Sequence, residues 1–341
     1  VLNLRSVRQR IAGAARRSGR APEAVRLVAV TKRWPLHLVR SLVGAGLRDC
    51  GQGIRVVGPI VIEIEFLIVG DAHTLFGVAG SLVDAAAAIA PRRHLCLMPL
   101  ATLLENVAGL YAALLADAEI ALPSLSEIGY TGATGLDVPT LLRCLHRYQP
   151  ESVILVPQLL LALVMAAEQG APLPASLRYI AVGGGRVGPG LLARARALGL
   201  PVVQGYGLSE CGSVVCLNRP GATRDGSVGQ ALPHAGVSIV DGEICVEGAR
   251  ALGYLGGDPL EEGPLRTGDL GYRDDEGFVH ITGRRKNVFI TAFGRNVSPE
   301  WVESELLAHP AIAQAVVWGE GQADNVAVLV PRRPDVGDAQ I

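Results

Sequence analysis

With 341 residues the chain is long enough to bury a sizeable core and, on ordinary domain lengths, to hold about two or three domains. Its 31 basic residues against 32 acidic ones give a net charge of -1, which offers no electrostatic reason to expect nucleic acid or an anionic membrane as a partner. Hydrophobic residues make up 49%, yet the two most apolar runs, VVGPIVIEIEFLIVG and SVILVPQLLLALVMAA, are broken by Glu63 and Glu65 or by Pro157 and Gln158. Each also falls short of the roughly 20 residues a membrane-crossing helix needs, so no transmembrane segment is expected.

The basic, helix-like start VLNLRSVRQRIAGAARRSGR has no apolar stretch followed by a small-residue cleavage site, so no secretory signal is visible. Six cysteines (Cys50, Cys96, Cys144, Cys211, Cys216, Cys245) are scattered without CxxC pairs, which argues against a zinc site or a disulfide framework and fits a reducing cytoplasm. Of the 31 basic residues two are lysines, Lys32 and Lys286, so any chemistry that needs an amine must use one of them.

In chain order, residues 1–28 read as a long amphipathic helix leading into a strand. The apolar run LVAV ends at Thr31 and Lys32, and PLHLVRSLVGAGL reads as a second helix, which makes a βα unit. Residues 53–80 read as strand-like and irregular, punctuated by Gly70, Gly77 and Gly80. From 81 to 203, helical segments (SLVDAAAAIA, ATLLENVAGLYAALLA, VPTLLRCLHRY, PGLLARARALG) alternate with apolar strands (HLCLMPL, SVILVP, LRYIAVGG, PVVQGYG). This alternation predicts an α/β fold with a layered, largely parallel sheet covered by helices. Beyond 212, short strands and glycine turns predict a small β-rich unit. The region ITGRRKNVFITAFGRNVSPEWVESELLAHP then predicts strand, basic turn, strand, glycine turn and a helix capped by Ser298 with Pro299 at its first position, the start of a partial α+β domain.

Four stretches carry a resemblance in combination: GYGLSE (205–210), GEICVEGARALGYL (242–255), RTGDLGYRDDEGFVHITGRRK (266–286) and FGRNVSPEWVE (293–303). In this order over about a hundred residues they resemble the adenylate-forming superfamily of acyl-CoA synthetases, luciferases and peptide-synthetase adenylation domains. The resemblance covers roughly 81–330, and the texture of LMPLATLLENVAGLYAALLADAEIALPSL is most similar to long-chain fatty acyl-CoA ligases. It implies a ligase that activates a carboxylic acid, most readily a fatty acid, with ATP through an acyl adenylate, using Mg²⁺ and passing the acyl group to coenzyme A. It also divides the chain into a partial large domain at 81–283 and a partial mobile C-terminal domain from 284 to 341, after an irregular junction at 53–80.

The chemistry explains the residue types. A carboxylate attacking the α-phosphate of ATP requires a site that holds purine, ribose and metal while offsetting negative charge at phosphorus. Gly183, Gly184 and Gly185 after a strand let backbone approach a flat base, and Tyr206 offers a ring to stack on it. By the resemblance, Glu210 binds Mg²⁺, Ser209 contacts phosphate, Asp269 accepts hydrogen bonds from both ribose hydroxyls, and Arg284 reaches ribose and phosphate. Gly294, in the last motif, joins the nucleotide set, and Lys286 marks the hinge on which the C-terminal domain swings. Taken one at a time, each of these residues has an ordinary structural reading as a turn, core or solvated residue.

YTGATGLD (130–137) has the composition of the family's phosphate loop but comes after the LMPL strand rather than before it and lacks the usual Pro-Lys-Gly ending, so a surface turn is expected there. Where the loop belongs, at about 60–80, no Ser/Thr/Gly cluster occurs, and no lysine follows Lys286 to approach the reacting carboxylate. The expectation is a chain truncated at both ends of the resemblance and impaired in adenylation.

Residues 6–52 are similar to the opening of pyridoxal-phosphate homeostasis proteins, relatives of the alanine racemase barrel. Lys32 stands at the Schiff-base position, while the sequence after Cys50 and Gly51 departs from that family's pattern, and pyridoxal phosphate is not expected to bind. Three function classes therefore stand at this point: an acid-thiol ligase, a pyridoxal-phosphate-binding protein using Lys32, and a non-catalytic fused remnant.

Overall fold

The structure, a computed structural model, describes residues 28–29, 49–50, 68–69, 72–131, 135–254, 260 and 263–332. The chain divides into two units. In the first, Val1–Val69 with Leu252–Pro259, the described residues form two short pairings: Val28–Ala29 parallel to Asp49–Cys50, and Ile68–Val69 antiparallel to Gly253–Tyr254. Lys32 and the rest of the pyridoxal-phosphate-like segment lie outside the described residues.

The second unit comprises Gly70–Ala251 and Leu260–Ile341. It begins with helix α1 (Ala72–Ala85), followed by strand β1 (Arg93–Leu95), a π-helical turn (Glu105–Tyr111) continued by Ala112–Leu115, and β2 (Glu119–Ala121). Next come α2 (Val138–Tyr148), β3 (Ser152–Leu155), α3 (Pro157–Glu168), β4 (Tyr179–Val182), α4 (Pro189–Ala197), β5 (Val202–Leu208), β6 (Ser213–Leu217) and β7 (Gln230–Ala231). The sheet order is β7-β6-β5-β4-β3-β1-β2, parallel from β5 to β2 and antiparallel at the β6 and β7 edge.

The parallel strands are apolar because both faces are covered. Side chains alternate across the strand, so Ile180, Val182 and Val202 enter one core with α2, α3 and α4, while Tyr179 and Val203 enter the other with Val78, Ala79 and Leu82 of α1. Helix starts follow the local chemistry. Asp137 caps α2, its carboxylate accepting the Thr140 N–H at 3.1 Å, and prolines open α3 and α4, where no intrahelical N–H is needed. The flanks of YTGATGLD, Tyr130–Thr131 and Gly135–Leu136, pair as an antiparallel hairpin that leads into the capped α2.

A four-stranded antiparallel sheet follows, in the order β8 (Ala235–Val240), β9 (Glu243–Gly248), β10 (Leu265–Arg273) and β11 (Val279–Arg284). Val237, Ile244, Val246 and Val279 share a third core with Cys211, Val215 and Cys216, which anchors this sheet beside β6. The hairpin Phe289–Ile290 with Asn296–Val297, helix α5 (Pro299–Leu306) and the strand pair Ile312–Trp318 with Val326–Pro331 complete the described chain. Among the described residues no helix is long and apolar enough to cross a membrane.

Two local readings are corrected. Residues 72–80, read as irregular, are helical: Gly77 and Gly80 lie within α1, where a side chain would meet nothing within 4 Å, so they do not mark turns. Ser298 does occupy the N-cap of α5 with Pro299 next, but its hydroxyl donates to the Glu300 carboxylate at 2.9 Å instead of capping a backbone N–H.

The first core is tested at Leu160, fully buried in α3. Leu160→Ala is expected to lower unfolding free energy by about 2–5 kcal/mol in urea titration, through lost transfer energy and the cavity left behind.

Candidate active site

β4 ends at Val182, in register with Gln204 in the middle of β5, so β5 runs on beyond the end of its parallel neighbour. Past β4 the chain turns away through Gly183, Gly184 and Gly185. Gly183 N–H donates to Leu155 O at 3.1 Å, and Gly184 takes a left-handed φ of +74° that glycine adopts without strain. Beside this loop, β5 runs on to Tyr206, where its pairing with β6 is bulged. Gly207 is required at the bulge, since a Cβ there would overlap the Ser213 carbonyl. A bulge re-aims the side chain next to it, and the Tyr206 hydroxyl donates to Asp269 Oδ2 at 2.6 Å.

Asp269, buried on β10, pairs in register with Arg284 at the end of β11, whose Nε donates to Asp269 Oδ1 at 2.8 Å. One carboxylate thus joins the end of a parallel strand to two strands of the antiparallel sheet. Its backbone is fixed as well. Asp269 N–H donates to Thr267 Oγ1 at 3.0 Å, and the Thr267 hydroxyl donates to Ile244 O at 2.8 Å. Arg284 remains 58% exposed along its side chain, so the guanidinium has faces left for a ligand. Burial, and then the Asp269 charge, push the Tyr206 phenol far above its ordinary range, which keeps it a donor at physiological pH.

A second buried carboxylate supports this one. Glu243 accepts the Gly268 N–H at 2.8 Å on Oε1; on Oε2 it accepts Arg266 Nε at 2.9 Å and Nη2 at 2.8 Å, with Arg285 Nε at 3.3 Å. Burial by itself would raise the Glu243 pKa, but the Gly268 N–H and the two arginines outweigh it and hold the group below its usual value. Gly268, between Thr267 and Asp269, takes φ +75° to aim its N–H at Glu243. Sequence reasoning missed Glu243. The available signal was an acidic residue opening an otherwise apolar strand, EICV, with arginines in RTGD and GRRK to pair it.

Ser209 and Glu210 lie on the 3₁₀ turn Ser209–Cys211 directly after β5. Ser209 is exposed, and Glu210 is half-buried with its carbonyl accepting the Ala251 N–H at 2.7 Å. The structure therefore brings Tyr206, Asp269 and Arg284 into direct contact, with the three glycines at the end of the strand beside β5 and Ser209 and Glu210 just past β5. Lys286 is exposed in the turn after β11, and Gly294, φ +74°, is exposed between Phe289–Ile290 and Asn296–Val297. Among the described residues no hydrogen bond or ion pair joins either of them to the Tyr206, Asp269 and Arg284 set.

The carboxyl ends of parallel strands are the usual ligand position of an open α/β sheet, and the glycines that follow β4 stand at such an end. The chain belongs to the AMP-binding enzyme family, whose model matches residues 73–255, and so to the adenylate-forming superfamily. Long-chain-fatty-acid–CoA ligase FadD15 of Mycobacterium bovis is 38% identical over 159 residues, 45% of this chain and 26% of that protein. The 2-succinylbenzoate–CoA ligase of Bacillus subtilis is 35% identical over 193 residues, 51% of this chain and 40% of that protein. Among solved structures, O-succinylbenzoate coenzyme A synthetase of Bacillus subtilis in complex with AMP superposes with TM-score 0.63 at 26% identity, covering 84% of this chain and 59% of that one. The same enzyme with ATP and magnesium ion matches equally, at TM-score 0.63 and 28% identity over 80% of this chain and 58% of that one. The chain thus spans less than two thirds of the length of each of these proteins.

The Glu243 network predicts a pH dependence. A carboxyl held below its ordinary pKa stabilises the fold above its unfolded-state value, and that stabilisation is lost as pH falls through the folded-state value. Glu243→Gln should destabilise the chain at neutral pH, and the gap should close as the pH drops below the ordinary glutamate range. Urea midpoints measured over a pH series check this, and a gap independent of pH would contradict it.

Proposed function

We propose that this chain holds the adenylate portion of a nucleotide in an ATP-dependent acid-thiol ligase of the acyl-CoA synthetase type. The observation that carries the reading is the buried Asp269 carboxylate, fixed between Tyr206 and Arg284 beside a glycine loop. A carboxylate offers about four lone-pair directions, so with two taken by the protein it can still accept from both ribose hydroxyls. Arg284 reaches ribose and phosphate with the donors that Asp269 leaves over. Gly183, Gly184 and Gly185 admit the flat purine close to backbone, with the Tyr206 ring beside it. Ser209 meets the phosphate. Lys286, exposed after β11, is the hinge of a C-terminal domain from 284 onward, and Gly294 belongs to the surface that domain presents.

The donor set at the end of β5 is one carboxylate and one hydroxyl, both hard oxygens, which suits magnesium held jointly by protein and phosphate. Bound through Glu210, magnesium would offset phosphate charge. The carboxylic acid we assign is a long-chain fatty acid, supported by the identity to FadD15, with coenzyme A as acceptor. A second reading, an aromatic succinyl acid, is supported by the several 2-succinylbenzoate–CoA ligases of Bacillus species that match over longer stretches.

Binding and chemistry come apart in this reading. The stretch at 60–80 contains no Ser/Thr/Gly cluster, and its described portion from Ala72 is helix, which supports the reading that the triphosphate is held less well than base and ribose. Loss of one group that stabilises transition-state charge costs about a hundred- to a thousandfold in rate. AMP is therefore expected to bind in calorimetric titration, and Asp269→Ala should weaken it at least tenfold. Pyrophosphate release with Mg-ATP and either acid should stay far below the roughly 1–1,000 per second of ordinary enzymes. Release within that range would refute the impairment, and absence of AMP binding in the folded chain would refute the retained site.

A further inference from the structure

Besides the residues assigned to the nucleotide, β1 and the π-helical turn bring together a second cluster of side chains. His94, Cys96 and Glu105 are all buried, and one ligand atom from each lies within 4.8 Å of the others. We propose that His94 Nε2, Cys96 Sγ and Glu105 Oε1 form a site for a divalent transition-metal ion of zinc-like character.

Spacing is the first argument. Two ligands bound tetrahedrally to zinc at about 2.0–2.1 Å stand about 3.3 Å apart, and a thiolate at about 2.3 Å stands about 3.6 Å from each. His94 Nε2 and Glu105 Oε1 are 3.2 Å apart, already at that separation. Cys96 Sγ lies within 4.8 Å of the ligand atoms of both, so the thiol has to close by no more than about 1.2 Å to complete the set.

Orientation is the second. His94 Nδ1 is 2.9 Å from Ser152 Oγ on β3, and Glu105 Oε2 accepts the N–H groups of Leu97 at 3.2 Å and Met98 at 2.9 Å. The outward atoms of both ligands are therefore tied down, which leaves Nε2 and Oε1 aimed inward. Outer hydrogen bonds of this kind hold histidine and carboxylate ligands in place around metals. Space is reserved too. A Cβ on Gly109 would overlap Glu105 Oε1 and come within 2.8 Å of His94 Nε2, and both Glu105 and Gly109 lie on the π-helical turn, a rare geometry found disproportionately at functional sites.

The charge balance closes. A thiolate, a neutral imidazole and a carboxylate carry two negative charges between them, so one divalent ion bound to Sγ, Nε2 and Oε1 leaves the cluster without net charge, the thiol proton leaving to solvent as the sulfur–metal bond forms. The ion avoids the cost that an added, uncompensated charge would meet there. One soft thiolate beside an imidazole favours a zinc-type ion over magnesium. Because Glu105 joins His94 and Cys96 only through the fold, the lack of a CxxC pair does not bear on this site.

A buried site loads as the chain folds, so the test is the full chain expressed with zinc or with cobalt, purified without chelator and assayed without nucleotide. The expected result is stoichiometric zinc by elemental analysis, and in the cobalt form a thiolate-to-cobalt charge-transfer absorption that is lost in Cys96→Ser and kept in Cys144→Ser. Ser152→Ala, which leaves all three ligands, should weaken metal retention about 10- to 100-fold against a competing chelator. A purified chain without transition metal, a cobalt form without the thiolate band, a band that survives Cys96→Ser, or unchanged retention in Ser152→Ala would overturn the proposal. None of these readouts depends on nucleotide binding.

Discussion

The organisation of the candidate site depends on one buried carboxylate. Asp269 accepts from Tyr206 at the end of a parallel strand and from Arg284 at the end of an antiparallel one, so the two sheets meet through its two oxygens. Hydrogen bonds to a charged group contribute about 1.5–3 kcal/mol each when buried, and the exposed portion of Arg284 places its share at the lower end. The greater constraint lies in the opposite case. If either partner were lost, the carboxylate would stay buried with some of its hydration unreplaced, which is costlier than the bond itself. That asymmetry keeps all three residues in one arrangement and gives the site a fixed acceptor.

Glu243 has the same role in the layer behind. It ties the Gly268 N–H, Arg266 and Arg285 together, so the part of β10 that carries Asp269 and the residue after Arg284 are held by a second buried acid. Arg285 N–H also donates to Gly268 O at 2.8 Å, which closes the loop through the backbone. The motifs RTGD and GRRK are thus one mechanical element. In each, a residue proposed to meet the nucleotide neighbours a residue that braces it.

Much of this was legible in the sequence because the signals were local or ordered. The alternation of helices and strands from 81 to 203, the prolines that open α4 and α5 and the order of the motifs needed no tertiary information, whereas α3 escaped notice because Pro157, its first residue, reads as the end of the strand SVILVP. What could not be read depended on distant partners. Glu243 is 23 residues from Arg266 and 42 from Arg285, and Glu105 is 11 from His94, so nothing local in the sequence marks either acid as buried and partnered. Gly77 and Gly80 misled in the other direction, because a glycine inside a helix carries the same letter as one in a turn. Ser298 shows a third limit: its place at the N-cap was readable, but the competition from Glu300 for its hydroxyl was not.

The central claim is that Asp269 is a preset acceptor for ribose, so its most direct test is a crystal structure of the chain soaked with AMP. The account predicts both ribose hydroxyls within hydrogen-bonding distance of the Asp269 carboxylate, the purine against Gly183, Gly184 and Gly185, and the Tyr206 and Arg284 contacts retained. AMP bound with its ribose away from Asp269, or Asp269 displaced from Tyr206 and Arg284 to reach it, would contradict the account.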